Sequence, residues 1–280
     1  MRVRFPGIPL LALAALLAWT CGAEAGTGMT VSPSRVRLQK PVGETASQKI
    51  VISNSGTYPL RIETDAADML IVPNEKGLSV RDEAPPATTP HSCARWIQVP
   101  GIQDLVIPPG EASEVEFVIS PPPEVKSGGY GAYLFIIGRP IVPKQQDTSK
   151  TTVQMVTVPR LGISVVYEVA GTVQRKGDLL KLEVTPPSKT EPLRIFHQFK
   201  NTGNAEVVLS GSFHILDSEE VLVGKGSLRI LKMFSGETGV AETLWEGDLP
   251  PGKYKAMVTL EIGPDAQQVI VRDFPLTVKS

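Results

Sequence analysis

The sequence predicts an all-β protein made of two sandwich domains in tandem. Three observations lead there. Short runs of alternating apolar and polar residues are separated by turn residues; glycine and proline number 25 each, punctuating the chain too often for long helices; and no stretch after residue 25 sustains the i, i+3, i+4, i+7 spacing of an amphipathic helix. At 280 residues the chain is long enough for two cores of ordinary size. The expected divisions are a leader over residues 1–25, a first domain over 26–170 and a second over 171–280.

The leader is read from Arg2 and Arg4, an apolar middle from Leu10 to Trp19, and the small-x-small site Ala23-Glu24-Ala25. This predicts export and cleavage near Ala25. Trp19 and Thr20 stand before Cys21 where a lipobox carries small residues, so cleavage, rather than lipid attachment at Cys21, is the expectation. No later run reaches the length of a membrane helix. Cleavage would leave Cys93 as the single cysteine, so no internal disulfide is expected and packing alone must hold the cores.

Strands are predicted over 30–38, with Val36 and Leu38 on one face and Arg35 and Arg37 on the other, and over 48–53 with Ile50 and Ile52 inward. Asn54-Ser55-Gly56 then turns the chain into 58–64. The pattern weakens from 66 to 100, where Ala84 to Pro90 is a proline- and threonine-rich loop and only Ala94 to Val99 around Trp96 reads as a strand. It returns at 114–119, with Val115, Phe117 and Ile119 inward, and at 130–137, which is apolar on both faces. Thr151 to Ala170 alternates over a length about three times that of an ordinary strand of roughly 5–6 residues, with Pro159 inside it. A central strand cannot spare that N–H, so the run reads as a long edge strand bent at Pro159. An apolar alternating edge is what an incoming strand pairs with.

The second half repeats the scheme, with strands over 179–184, 193–200, 207–216, 227–234, 240–245, 254–262 and 269–278. Asn201-Thr202-Gly203 echoes Asn54-Ser55-Gly56, and Pro250-Pro251-Gly252 echoes Pro108-Pro109-Gly110. Two copies of a seven-strand sandwich fit that echo. Tyr254, at a strand head, is either a tyrosine-corner residue or a packing aromatic.

Several functional classes find no support. A formal net charge of −1 with scattered lysine and arginine gives no footprint for nucleic acid. His91, His197 and His214 lie in no metal-ligand spacing, so neither a metal nor a cofactor is expected. Gly128-Gly129-Tyr130-Gly131 lacks the lysine of a phosphate loop, and no Gly-x-Ser-x-Gly elbow occurs. His91-Ser92-Cys93 places a base two residues from a thiol, but an incidental thiol is the simpler reading. No enzyme is expected.

With those residues stated, the chain resembles the PapD-like periplasmic chaperones that assist pilus assembly. Val31-Ser32-Pro33-Ser34-Arg35-Val36-Arg37 is similar to the family's first strand, and Arg160-Leu161-Gly162-Ile163-Ser164-Val165-Val166-Tyr167 to the end of the long last strand of its first domain. The resemblance implies two immunoglobulin-like β-sandwich domains in the periplasm, and donor-strand complementation, in which the chaperone lends apolar side chains to a subunit lacking a strand. It implies Val153, Met155, Leu161, Ile163 and Val165 as strand-binding residues, and Arg37 as the residue gripping the subunit's terminal carboxylate. The family carries a lysine where this chain has Ser164, and Arg160 is the candidate substitute cation. Where the family has Leu-Pro-x-Asp-Arg-Glu-Ser, this chain has Ser127 to Tyr133. The implied partners are an exported β-rich pilus or surface subunit and, for hand-off, an outer-membrane assembly protein. The alternative function is an adhesive or structural immunoglobulin-like module of the cell surface, which needs no apolar edge. Mass spectrometry of the exported protein is expected to give an N-terminus at Gly26; a lipid-modified Cys21 at the N-terminus would overturn that expectation.

Overall fold

The computed structural model describes residues 28–143, 156–263 and 268–279; Val153 and Met155 lie outside them. Among the described residues the one helical element is the 3-10 turn Ala94–Trp96, so the all-β expectation holds. The first half forms β1 (Met29–Ser32), β2 (Arg35–Lys40), β3 (Ala46–Asn54), β4 (Leu60–Pro73), β5 (Ser79–Ala84), β6 (Ile97–Gln98), β7 (Val106–Ile107), β8 (Ala112–Ile119), β9 (Gly129–Pro140) and β10 (Arg160–Val169). The second forms β11 (Gly177–Thr185), β12 (Leu193–Asn201), β13 (Val207–Leu216), β14 (Leu222–Ser227), β15 (Leu231–Met233), β16 (Thr238–Trp245), β17 (Gly252–Ile262) and β18 (Gln268–Val278).

Each half is a sandwich. In the first, the sheet β1-β3-β8-β6 faces β2-β10-β9-β4-β5, with β7 beside β4; in the second, β11-β12-β16 faces β14-β13-β17-β18, with β15 beside β13. The inward residues are those the alternation marks. Ile50, Ile52, Phe117, Ile119, Leu134 and Ile136 fill the first core, and Ile195, Phe213, Ile215, Val258 and Leu260 the second. Burial of this apolar surface, at about 25 cal/mol per Å², is the main drive for each sandwich.

Several elements depart from the sequence expectation: the run expected over 227–234 divides into the end of β14 and the short β15, and the run over 94–99 is a 3-10 turn followed by the two-residue β6. The first strand is two strands: β1 pairs with β3, the chain turns at Pro33, and β2 joins the opposite sheet parallel to β10. A proline has no N–H with which to continue a ladder, so the switch falls there. The weak region holds a long hairpin, β4 and β5, whose distal part pairs from Asp68 to Ala84. And β10 is an edge strand only in part, because from Ser164 onward it lies between β2 and β9.

The asparagine echo has a shared physical cause. Asn54 donates through Nδ2 to the carbonyls of Tyr58 and Ile107, each at 2.9 Å, and accepts from Gly56 N–H at 3.0 Å. Asn201 donates to Ala205 and Met233, each at 2.8 Å, and accepts from Gly203 N–H at 2.9 Å. Both side chains are buried, and each satisfies carbonyls that the turn would otherwise strand without partners. The second echo is misplaced by the sequence. Gly110 N–H donates to the Asn54 carbonyl and Gly236 N–H to that of Asn201, so the counterpart of Pro108-Pro109-Gly110 is Phe234-Ser235-Gly236. Tyr254 does act as a corner residue, donating its hydroxyl to the Pro250 carbonyl at 2.7 Å.

His197 on β12 is fully buried in the second core, and burial pushes its pKa down to about 4, the Arg229 backbone offsetting part of that effect. Above pH 6.5 the ring is neutral in both states and contributes no pH dependence. Between pH 6.5 and about 4 the unfolded chain takes a proton that the folded chain refuses, so stability falls as pH falls, by about 3 kcal/mol in full. Denaturant titrations of His197→Phe are expected to lose that slope; an unchanged pH dependence would place its origin elsewhere.

Candidate functional site

Arg35 and Arg37 flank the buried Val36 on β2, so both project from the outer face of the sheet. Parallel pairing places Ser164 beside Arg35 and Val166 beside Arg37, and Glu168 follows on that same face. Arg37 donates to Glu168. Glu206, immediately before β13 in the second sandwich, accepts from Arg35 through Oε2, and from Arg37 on that same oxygen at 3.0 Å. Arg175, in the connection between the sandwiches, donates to Glu168 and, through Nε, to the Glu206 carbonyl at 3.2 Å. Three guanidinium groups against two carboxylates leave one formal positive charge in excess. The carboxylates are buried, at 4% side-chain exposure for Glu168 and 3% for Glu206, while Arg35 and Arg37 each keep 28%. The surplus charge is therefore on the solvent side, where an anion can reach it.

The glycines of Ser127 to Tyr133 let the second sandwich approach this site. Gly129 N–H donates to the Asn204 carbonyl at 2.8 Å, and a Cβ on Gly129 would lie 2.8 Å from that of Ala205. The Phe234 ring sits on Gly131, where an added Cβ would lie 2.0 Å from it. Glycine at these two positions is thus a matter of backbone contact. A second bridge is made by the β4–β5 hairpin. Arg81 donates to Glu237 at 3.1 Å and to the Lys232 carbonyl, and its guanidinium lies 5.5 Å from the Phe234 ring centre. Val240 N–H donates to Ser79 Oγ at 2.8 Å, and Ile71 packs on the second core.

The sheet also keeps a bare edge. Ser164 N–H donates to the Ser34 carbonyl, whereas the Pro159 carbonyl accepts from Gly138 on β9. Backbone direction alternates along a strand, so Gly162 and Arg160 present N–H and C=O on the β2 side. Among the described residues no strand pairs with them there, because β2 begins only opposite Ser164. Val156 and Val158, just upstream, are exposed.

The sequence-derived candidates divide accordingly. Ser164 lies with Arg35 and Arg37. Arg160 does not: it reaches across β9, its guanidinium 3.5 Å from the Phe135 ring centre, to Glu83 at 2.6 and 2.7 Å and Asp65 at 3.5 Å. Ile163 and Val165 are 1% and 0% exposed in the chain's own core, where Leu161 also packs. Arg175, Glu168 and Glu206 were missed. Their partners lie up to 171 residues away, a separation at which local pattern carries no signal. Cys93 is buried, and burial pushes its thiol pKa far up, which suppresses the thiolate a nucleophile needs. The loop before it is tied by Asp68, which accepts from Ser92 Oγ and Thr89 N–H. Among the described residues no group of three metal-ligating side chains gathers, and no helix is long and apolar enough to cross a membrane.

No protein-family model matches this sequence, and no curated protein matches it. Solved structures similar to it include the class 5 fimbriae chaperone CfaA, at 11% identity over 89% of this chain and 100% of that one with a TM-score of 0.43. The E. coli chaperone DraB matches at 11% identity over 90% and 97%, with a TM-score of 0.43. The Pseudomonas aeruginosa CupB2 chaperone matches at 13% over 88% and 100%, with a TM-score of 0.37. At that level of likeness, the role of each residue rests on the geometry of this chain alone.

Gly131→Ala is expected to drive Phe234 off β9 and loosen the junction, costing about 1–3 kcal/mol as overpacking does. Thermal melting reads the loss and small-angle scattering the separation of the sandwiches; Phe234→Ala in the same chain should restore most of the stability. A Gly131→Ala protein that melts and scatters like the parent would remove the close-approach explanation.

Proposed function

We propose that this chain is a non-enzymatic, exported chaperone-like protein that holds an incomplete β-sandwich subunit by strand addition and passes it to an assembly site. The observation that carries the reading is the alignment of the bare β10 edge with the arginine cluster. A strand running parallel to β10 along residues 156–163 would lie in line with β2 and end at Ser34 and Arg35. Its terminal carboxylate would arrive where the guanidinium groups hold a charge in excess.

Each part has a physical role. The backbone of Arg160 and Gly162 supplies main-chain hydrogen bonds. Val153 and Met155 share the sequence period of the core-facing Leu161 and Ile163, and these are the apolar side chains to be lent. Their burial in the partner would contribute at about 25 cal/mol per Å². Arg37, with Arg35 and Arg175 nearby, supplies charge-assisted hydrogen bonds to the carboxylate, and Ser164 a hydroxyl on the same face. Arg160, on this reading, shapes the edge from its seat on Phe135. The partners are an exported β-rich pilus or surface subunit in the periplasm and an outer-membrane assembly protein that accepts it.

Amide exchange tests the register. In the free protein Gly162 N–H is expected to exchange fast and Leu161 and Ile163, bonded to β9, slowly; a β-rich subunit co-purified with the protein should slow Gly162 and leave the other two unchanged. If Gly162 is protected without a partner, or a bound subunit leaves it exchanging fast, strand addition at this edge is wrong.

A further inference from the structure

We propose that Glu206 sets the affinity and selectivity of the arginine site by occupying it in advance, as an internal carboxylate that the partner's terminal carboxylate must displace. This rests on the function proposed above and adds a competitor to it. One oxygen, Oε2, accepts from both Arg35 and Arg37, which is the arrangement expected of a ligand carboxylate between two guanidinium groups. The group comes from the other sandwich and joins β2 across a separation of 171 residues in the sequence.

The cluster is asymmetric in a way that makes exchange feasible. Arg37 spends both terminal nitrogens on Glu168 and Glu206, and Arg175 spends Nε and Nη2 on the Glu206 carbonyl and Glu168. Arg35 uses Nη2 alone among the bonds of the described residues, it is partly exposed, and it lies nearest the end of the bare edge. An incoming carboxylate meets Arg35 first. The other groups on this face are the Ser164 hydroxyl, Val166 and Glu168 from β10, and Gln39 from β2; Glu168 is held by Arg37 and Arg175 and does not contact Arg35.

Competition of this kind selects. A neutral chain end cannot replace a carboxylate shared by two guanidinium groups, whereas a charged one exchanges like for like. Displacement would also release the Glu206 contact between the sandwiches while leaving the Gly129–Asn204 hydrogen bond, so occupancy and domain contact are linked reciprocally.

The test uses the mature protein and two synthetic peptides of one alternating valine–threonine sequence, ending in a free carboxylate or in an amide. Glu206→Gln keeps the shape and removes the charge, and it is expected to tighten binding of the free acid about tenfold while leaving the amide unchanged. A preference for the acid that is the same in parent and variant overturns the role of Glu206 and leaves the proposed function standing. No preference in either protein overturns both. Should Glu206→Gln melt before it can be measured, Glu206→Asp, which retains the charge but withdraws it by one methylene, must shift the acid-to-amide ratio in the same direction.

Discussion

The structure depends on two buried carboxylates shared among three arginines. A carboxylate removed from water is stable only where charge and hydrogen bonds replace its hydration. Glu168 and Glu206 therefore hold Arg35, Arg37 and Arg175 in place as firmly as the arginines hold them. Removing one member of such a cluster typically costs about 3–5 kcal/mol because the others are left buried and unpaired. That cost ties β2, the end of β10, the interdomain connection and the start of β13 to one another. The glycines of β9 follow from it, since Glu206 reaches β2 only if the turn before β13 lies directly on the β9 backbone.

Much of the fold was legible because it is written locally. Alternation marked Ile50, Ile52, Phe117 and Ile119 as inward, and Asn54 and Asn201 stood out because each is followed by a turn that needs its side chain. Where a local signal has two readings, the sequence misled. Pro250-Pro251-Gly252 looks like Pro108-Pro109-Gly110 in composition, but the hydrogen bond that defines the equivalent turn goes to Gly236. Arg35 and Arg37 were visible as a pair on one face, while the carboxylates that meet them were not. Glu206 is brought to β2 by the packing of one sandwich on another, and no periodicity encodes that. The same holds for Arg160, whose side chain the sequence leaves free to turn either way, and which Phe135 and Glu83 draw across β9.

The division of β10 at Ser164 settles what its alternation means. One period runs through the strand, but its odd positions change surroundings along the chain. From Leu161 onward they meet the first core, and the outer face meets the second sandwich. The backbone changes surroundings at the same place, paired on both sides after Ser164 and on one side before it. A strand built this way has an anchored half and a half whose hydrogen bonds on the β2 side are unspent, and the anchored half fixes the register in which the other can be read.

The β4–β5 hairpin carries a consequence for cooperativity. Ile71 belongs to the first half of the sequence but packs against the second core, so a cut in the connection after β10 divides the polypeptide without dividing the hydrophobic contacts. A second half severed there would lose part of its own core surface along with the partners of Glu206 and Phe234. Heat or denaturant that opens either sandwich strips apolar cover and charge from the other, so the free energies of the two are coupled rather than additive.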